Sequence, residues 1–413
     1  MATDYDAIIV GGGPAGATVG AVLARAGWRI AIVEKMSYPR RKVCGEFISE
    51  TTWPLLQRLG VAGPLQKLAG PPVHRVGLYA GDAMITAELT SLAVEAEYSG
   101  RAVRREHLDP LLLRNAALAG ADVWQPYTLS AFVAHPGGYV CTIIDKATAQ
   151  TRSLQARLIV AAHGSWESGT LPTQDFRRSP CASDLFGFKT HFRHSSLPPD
   201  LMPLLSFPGG YGGMVQIDDG RVSLSCCIRR DQLARCRQHW PNEKAGAAVL
   251  EHLRSSCTGV ALALSAATLD GEWLSAGPLR TGIRTFGHAG IFTVGNAAAE
   301  AHPIVAEGIS MAIQSATLLC EQLITRLDVR SNLYAPSPML DRIRYDYALA
   351  WRRNFSRRLY IAALLAHLFM RPLPTRVATR LLQRFPRLLT AGARWSGKSE
   401  PLRISRQFDV LPR

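Results

Sequence analysis

The chain opens with an apolar run, IIV at residues 8–10, that passes straight into glycine, then a small-residue stretch, PAGATVGAVLA at 14–24, then a second run within 29–33. Short apolar runs bounded by glycine predict buried strands, and the stretch between them predicts a helix, the unit from which parallel sheets are built. Residues 53–59 predict a short helix that stops at Gly60. The pattern changes within 72–100, where VHRVGLY and MITAEL alternate apolar and polar residues as half-buried antiparallel strands do. Helical spacing returns at 105–120, with Leu108, Leu111, Leu112 and Ala116 on one face. Short strands follow over 121–162, including the buried run ARLIVAA. A strand-rich block covers 182–229, IFTV at 291–294 is a further strand, and helix follows almost to the end.

The junction between the first run and its helix carries chemistry. Gly11, Gly13 and Gly16 stand in G-x-G-x-x-G spacing, with Pro14 and Ala15 opening the helix. The first glycine permits a tight turn, the second lets the backbone approach a pyrophosphate, and the third lets helix and strand pack closely. Glu34, eighteen residues past Gly16 at the end of the second run, is placed to accept hydrogen bonds from ribose hydroxyls and to repel a 2′-phosphate; Lys35 follows it. These residues predict a dinucleotide, FAD or NAD. The interleaved patterns then predict an α/β (α+β) fold with a discontinuous Rossmann-like domain at 1–70, 101–170 and 276–330. An antiparallel β-sheet substrate domain at 71–100 and 171–275 interrupts it, and a basic helical region at 331–413 follows. A ligand site is expected between the two sheets.

Composition narrows the partners. The formal net charge is +15 over 413 residues, and arginines concentrate beyond residue 340 among many leucines. No nucleic-acid motif accompanies them, so nucleic acid is not an expected partner. Basic amphipathic helices can rest on an anionic membrane surface, accept a lipophilic substrate, or simply pack on the body with a solvated basic face; all three remain open. The eight cysteines lack C-x-x-C or metal-ligand spacing, so no metal site is expected. No apolar run reaches spanning length, and no basic segment precedes the first apolar run as in a secretory signal. The expected setting is cytoplasmic, extending to peripheral contact with the inner membrane through the C-terminal region.

Four stretches together resemble the FAD-dependent oxidoreductases of the p-hydroxybenzoate hydroxylase fold, particularly the branch with geranylgeranyl reductases and flavin halogenases. They are the glycine motif with Glu34, PRRKVCGE at 39–46, REHLD at 105–109 with Leu112, and GNAAAEAHP at 295–303 followed by Glu307 and Gly308. The resemblance covers about residues 1–330 and implies FAD. It implies that Lys42, Cys44, Arg105, Gly164, Gly295 and Asn296 contact the cofactor, with Asn296 replacing the family's acid at the ribityl chain. It further implies that Pro303 abuts the flavin ring and that Gly308 and Ile309 begin a helix aimed at the ring's pyrimidine end. Glu307 is expected to cap that helix. NADPH or NADH is the implied electron donor, and His163, standing where hydroxylases of this fold carry an acid, leaves a separate reductase as the alternative. The W-x-W-x-I-P signature of tryptophan halogenases is absent, which argues against halogenation.

The implied reaction is hydroxylation of a hydrophobic aromatic, phenolic or polyketide-like substrate through a flavin C4a-hydroperoxide. The alternatives are reduction or dehydrogenation of an isoprenoid or quinone-like substrate, and a non-catalytic membrane-docking flavoprotein. His302 is the first candidate to hydrogen-bond or deprotonate a phenol, on the expectation of an imidazole pKa near neutrality. Pro303, Tyr211 in its glycine-rich strand, and Cys44 complete the catalytic candidates, each with a purely structural role as its alternative.

Overall fold

The computed structural model describes residues 4–89, 99–165, 169–174, 179–288, 290–327, 337–395 and 402. Expectations for 90–98, 331–336 and most of 396–413 therefore lie outside the described residues.

Two sheets face a common cavity. The first has eight strands among the described residues, and at its centre Tyr5–Val10 runs parallel to Ile30–Val33 on one side and to Thr151–Ala161 on the other. Asp122–Trp124 extends this parallel core at one end and Ile291–Thr293 at the other. Ile8, Ile9, Ile32 and Val160 are fully buried, as strands covered on both faces require. The helix Pro14–Arg25 packs against Arg105–Leu118 and against Gly308–Arg326. Gly11 and Gly16 make this junction possible. Gly11 has φ of +112°, and a Cβ on Gly16 would stand 1.9 Å from the Gly11 carbonyl oxygen, so helix and turn close only without side chains there.

The second sheet has seven strands among the described residues and includes Arg75–Ala80, Leu185–Arg193, Gly210–Gln216 and Val222–Arg229. It is antiparallel except for one pair: Leu201–Phe207 runs parallel to Arg75–Ala80. The expected antiparallel sheet holds apart from that pair. No hairpin joins those two strands, so no turn dictates their direction. Residues 230–263, which the strand pattern left unassigned, form the helices Arg230–His239, Ala245–Ser256 and Thr258–Ala263. They bury Val249, Leu253 and Val260 against Phe188, Phe192 and Met214 on the sheet's outer face. Alternation leaves Tyr211 and Val215 on the other face of Gly210–Gln216, toward the first sheet.

The C-terminal helices clamp both halves. Pro338–Phe369 lies on Gly308–Arg326, and the Tyr347 hydroxyl donates to the Thr293 carbonyl at 3.0 Å. Further along, Ala366 packs with Tyr211 and Cys227, while the Ser206 hydroxyl donates to the Phe369 carbonyl at 2.6 Å. The helices Pro372–Arg384 and Arg387–Ala393 then cross the edge of the second sheet, where Thr390 donates to the Glu88 carbonyl at 2.6 Å. This arrangement closes one end of the cavity with leucine side chains.

Candidate functional site

The cavity between the sheets has a volume of about 800 Å³. It is polar at one end and apolar at the other. Gly11, Gly13, Pro14, Ala15, Glu34 and Lys35 line the polar end. Gly16 does not line it and serves the packing described above. Lys42, Cys44, Arg105, Gly164, Gly295 and Asn296 also face the cavity, as do Pro303, Gly308 and Ile309. The candidate residues drawn from four separate stretches thus converge on one space.

A cationic lid covers the glycine turn. Arg105 donates to Asp109 through Nε at 2.6 Å and Nη2 at 2.8 Å, and Lys42 Nζ lies 2.7 Å from the same carboxylate. Asp109 is fully buried. Burial alone would raise its pKa, but the Arg105 and Lys42 charges overcome that and hold it below the ordinary carboxylate range. Burial, then repulsion from Arg105, lowers the Lys42 ammonium. A Cβ on Gly13 would stand 4.0 Å from both Arg105 Nη2 and Lys42 Nζ and meet nothing closer. Two cations against one carboxylate, poised over bare backbone, suit a pyrophosphate.

Glu34 anchors the turn from below, accepting from the Gly12 amide at 2.8 Å and the Met36 amide at 3.0 Å. At the opposite side Asn296 donates to Glu300 at 3.2 Å, and Arg284 holds the other Glu300 oxygen at 3.0 Å. Gly308 begins the helix Gly308–Arg326 at the cavity wall, where a Cβ would meet nothing within 4 Å. Glu307 stands at the N-cap position of that helix, but its side chain makes no capping hydrogen bond. Its side chain is fully buried and accepts from the Ser49 hydroxyl at 3.2 Å, because the loop after PRRKVCGE packs over the helix start. His163 is buried, with Nε2 2.7 Å from the Thr173 hydroxyl, and burial pushes its pKa down to about 4.

The candidate catalytic residues sit deeper. Tyr211 Oη lies 3.2 Å from His302 Nδ1, and His302 Nε2 lies 3.2 Å from the Thr281 hydroxyl. The expected near-neutral imidazole is corrected: burial, then the nearby His367, pushes His302 down to about 4, so the ring is neutral at physiological pH. Burial also holds the Tyr211 phenol well above its usual value and therefore protonated. The Cys44 sulfur accepts the Glu46 amide at 3.3 Å and is half-buried at the cavity wall. The glycines around Tyr211 serve strand packing in part, since a Cβ on Gly212 would stand 2.7 Å from the Ser225 carbonyl oxygen.

One cluster escaped the sequence reading. Glu46, at φ of +62°, forms an ion pair with Lys189 and accepts from His191 Nε2 at 3.0 Å; Arg41 reaches His191 Nδ1 at 3.3 Å. Burial would raise the Glu46 carboxyl, but Lys189 and His191 hold it at about 2. The available signal was Lys189 and His191 two residues apart in a strand whose first four residues are Leu185, Phe186, Gly187 and Phe188.

The family model described as FAD binding domain matches residues 4–332. The chain belongs to that family. A tryptophan 2-halogenase of Chondromyces crocatus is 23% identical over 83% of the chain, which spans 66% of that relative's length, just under two thirds. A menaquinone reductase of Mycolicibacterium smegmatis is 25% identical, covering 96% of this chain and 92% of its own. Among solved structures, the myxobacterial chondrochloren halogenase has a TM-score of 0.75 at 20% identity, covering 95% of this chain and 91% of its own. A probable FAD-dependent monooxygenase from Pseudomonas aeruginosa has 0.70 at 17%, covering 90% and 98%. By name these relatives are oxidoreductase-type enzymes, and halogenases recur among them although the tryptophan-halogenase signature is missing here. Halogenation therefore stays among the reactions to test. FAD fits the cradle built by Gly13, Arg105, Lys42, Glu34 and the Gly308 helix end.

Proposed function

We propose that this flavoprotein is an FAD-dependent monooxygenase that hydroxylates a hydrophobic aromatic or phenolic molecule, with NADPH or NADH as electron donor. The observation that carries this reading is the Tyr211–His302 pair: a buried, hydrogen-bonded phenol and neutral imidazole on the wall of an apolar cavity whose far end is the nucleotide cradle. FAD, once bound and reduced, supplies hydride or, with dioxygen, an oxygen atom for transfer. The chain supplies the rest. Arg105 and Lys42 would neutralise the pyrophosphate, and Glu34 would hold the adenosine ribose. The apolar lining keeps water from the reacting atoms. A phenolic hydroxyl would meet the Tyr211–His302 pair as its hydrogen-bond partner, with Thr281 fixing the imidazole.

A second reading is reduction of an isoprenoid or quinone-like substrate. It is favoured by the menaquinone reductase, which aligns with this chain nearly end to end, and by the aliphatic end of the cavity at Leu365, Phe369, Leu382 and Leu389. Both readings are tested by NADH or NADPH oxidation over alkylphenols and prenylated quinones, with and without dioxygen and bromide. A product heavier by one oxygen, formed only with dioxygen, supports the hydroxylase. A hydrogenated product formed without dioxygen overturns it for the reductase, and a brominated product overturns both.

A further inference from the structure

The helix Pro372–Arg384 has two unlike faces. Inward, Ala378 and Leu382 pack against Leu78, Ile85 and Phe369. Outward, Leu373, Val377, Leu381 and Phe385 recur every fourth residue and are 72%, 68%, 51% and 54% exposed. Residues four apart lie along one side of a helix, so these side chains form a continuous apolar stripe. Leu388, 43% exposed, extends the stripe onto Arg387–Ala393. Arg376, Arg380, Arg384 and Arg387 are exposed beside it. Leu388 also belongs to the cavity wall, so the apolar end of the cavity lies directly beneath the end of this stripe.

We propose that this face docks on an anionic lipid bilayer, with Pro372–Arg384 lying in the plane of the interface and the substrate entering the cavity from the lipid past Leu388. Four side chains that large, in water on one small face, are stabilised by entering the acyl boundary, while arginines beside them extend to the headgroups. Charge selects the occupant. Between Asp346 and Glu400 the sequence carries ten arginines and no carboxylate side chain. A second copy of the same face would bring arginine against arginine, whereas phosphate headgroups complement it. No helix among the described residues is long and apolar enough to cross a membrane, which leaves a helix lying on one. The route of substrate entry rests on the oxidoreductase reading given above; the docking itself does not.

The test is flotation of the FAD-loaded full chain with vesicles of phosphatidylcholine, with and without phosphatidylglycerol. The wild type is expected to float with the anionic vesicles only. Leu381→Asp with Phe385→Asp should weaken binding at least about tenfold. Arg376→Gln, Arg380→Gln and Arg384→Gln together should weaken it about a hundredfold. Both variants should keep wild-type flavin absorbance and turnover of a short, water-soluble alkylphenol or quinone, while turnover of a long-tailed homologue held in vesicles falls. A wild type that stays down, that binds both vesicles equally, or that instead forms a dimer broken by Leu381→Asp overturns the proposal. Flotation as expected, without turnover of any substrate, leaves docking standing and removes the oxidoreductase reading.

Discussion

Tyr211 and His302 join the second sheet to the turn before the helix Gly308–Arg326: the hydroxyl and Nδ1 are 3.2 Å apart and the rings meet edge to face at 6.2 Å between centroids. Tyr211 comes from the second sheet, and His302 from the turn before the helix that helps build the cofactor cradle. Removing the hydroxyl alone separates chemistry from packing. Tyr211→Phe keeps the ring and should retain FAD, with kcat falling about a hundredfold and KM changing little. His302→Ala should likewise bind FAD and turn over slowly. Unchanged kcat in Tyr211→Phe would reduce the pair to scaffolding.

The depressed histidines set an acid sensitivity. His302 and His163 are pushed by burial from the usual 6.5 to about 4. Between those values the unfolded chain binds protons that the folded chain does not. Their contribution is therefore complete above about pH 6.5 and is lost as pH falls toward 4, on the order of 3 kcal/mol for each ring. The unfolding midpoint in urea should drop across that window, and His163→Gln should flatten the drop. The kcat profile should show no acid limb near 6.5, because His302 is already neutral there. A limb at 6.5 would mean that the imidazole titrates normally.

The cradle was legible in the sequence because local backbone geometry imposes it. Gly11 and Gly16 are required by a turn and a close approach within a few residues of themselves, and Arg105 and Asp109 meet one helical turn apart. The remainder depends on contacts between distant segments. Glu307 was expected to cap its own helix, yet Ser49, from the opposite end of the chain, claims its side chain. Lys189 and His191 were visible as charged or titratable residues in a strand, but nothing local assigns them Glu46. The helices over 230–263 are short, and Pro241 interrupts them, so their apolar spacing never sustains a long period.

Gly13 isolates the cofactor from the fold. A side chain on Gly11 would meet the Ala162 carbonyl oxygen at 2.5 Å and demand a strained backbone, so Gly11→Val should lose folded protein. A Cβ on Gly13 meets only the two cations at 4.0 Å, in the space that suits the pyrophosphate. Gly13→Val should therefore fold with the melting curve of FAD-free wild type and purify colourless. A yellow Gly13→Val protein would place the pyrophosphate elsewhere.

The Glu46 cluster ties the loop after the second strand to the second sheet, and its energetics should be lopsided. Lys189 is fully buried and its ion pair is with Glu46, which is 1% exposed. Glu46→Gln leaves the ammonium without its countercharge and should destabilise the protein by about 3–5 kcal/mol. Replacing both partners removes the uncompensated charge. Glu46→Gln combined with Lys189→Met should therefore recover most of the loss in urea unfolding, although each replacement alone is damaging. If the double variant is as unstable as the sum of the singles, Glu46 acts chiefly through His191, Arg41 and its own backbone at φ of +62°, and the charge pair is incidental.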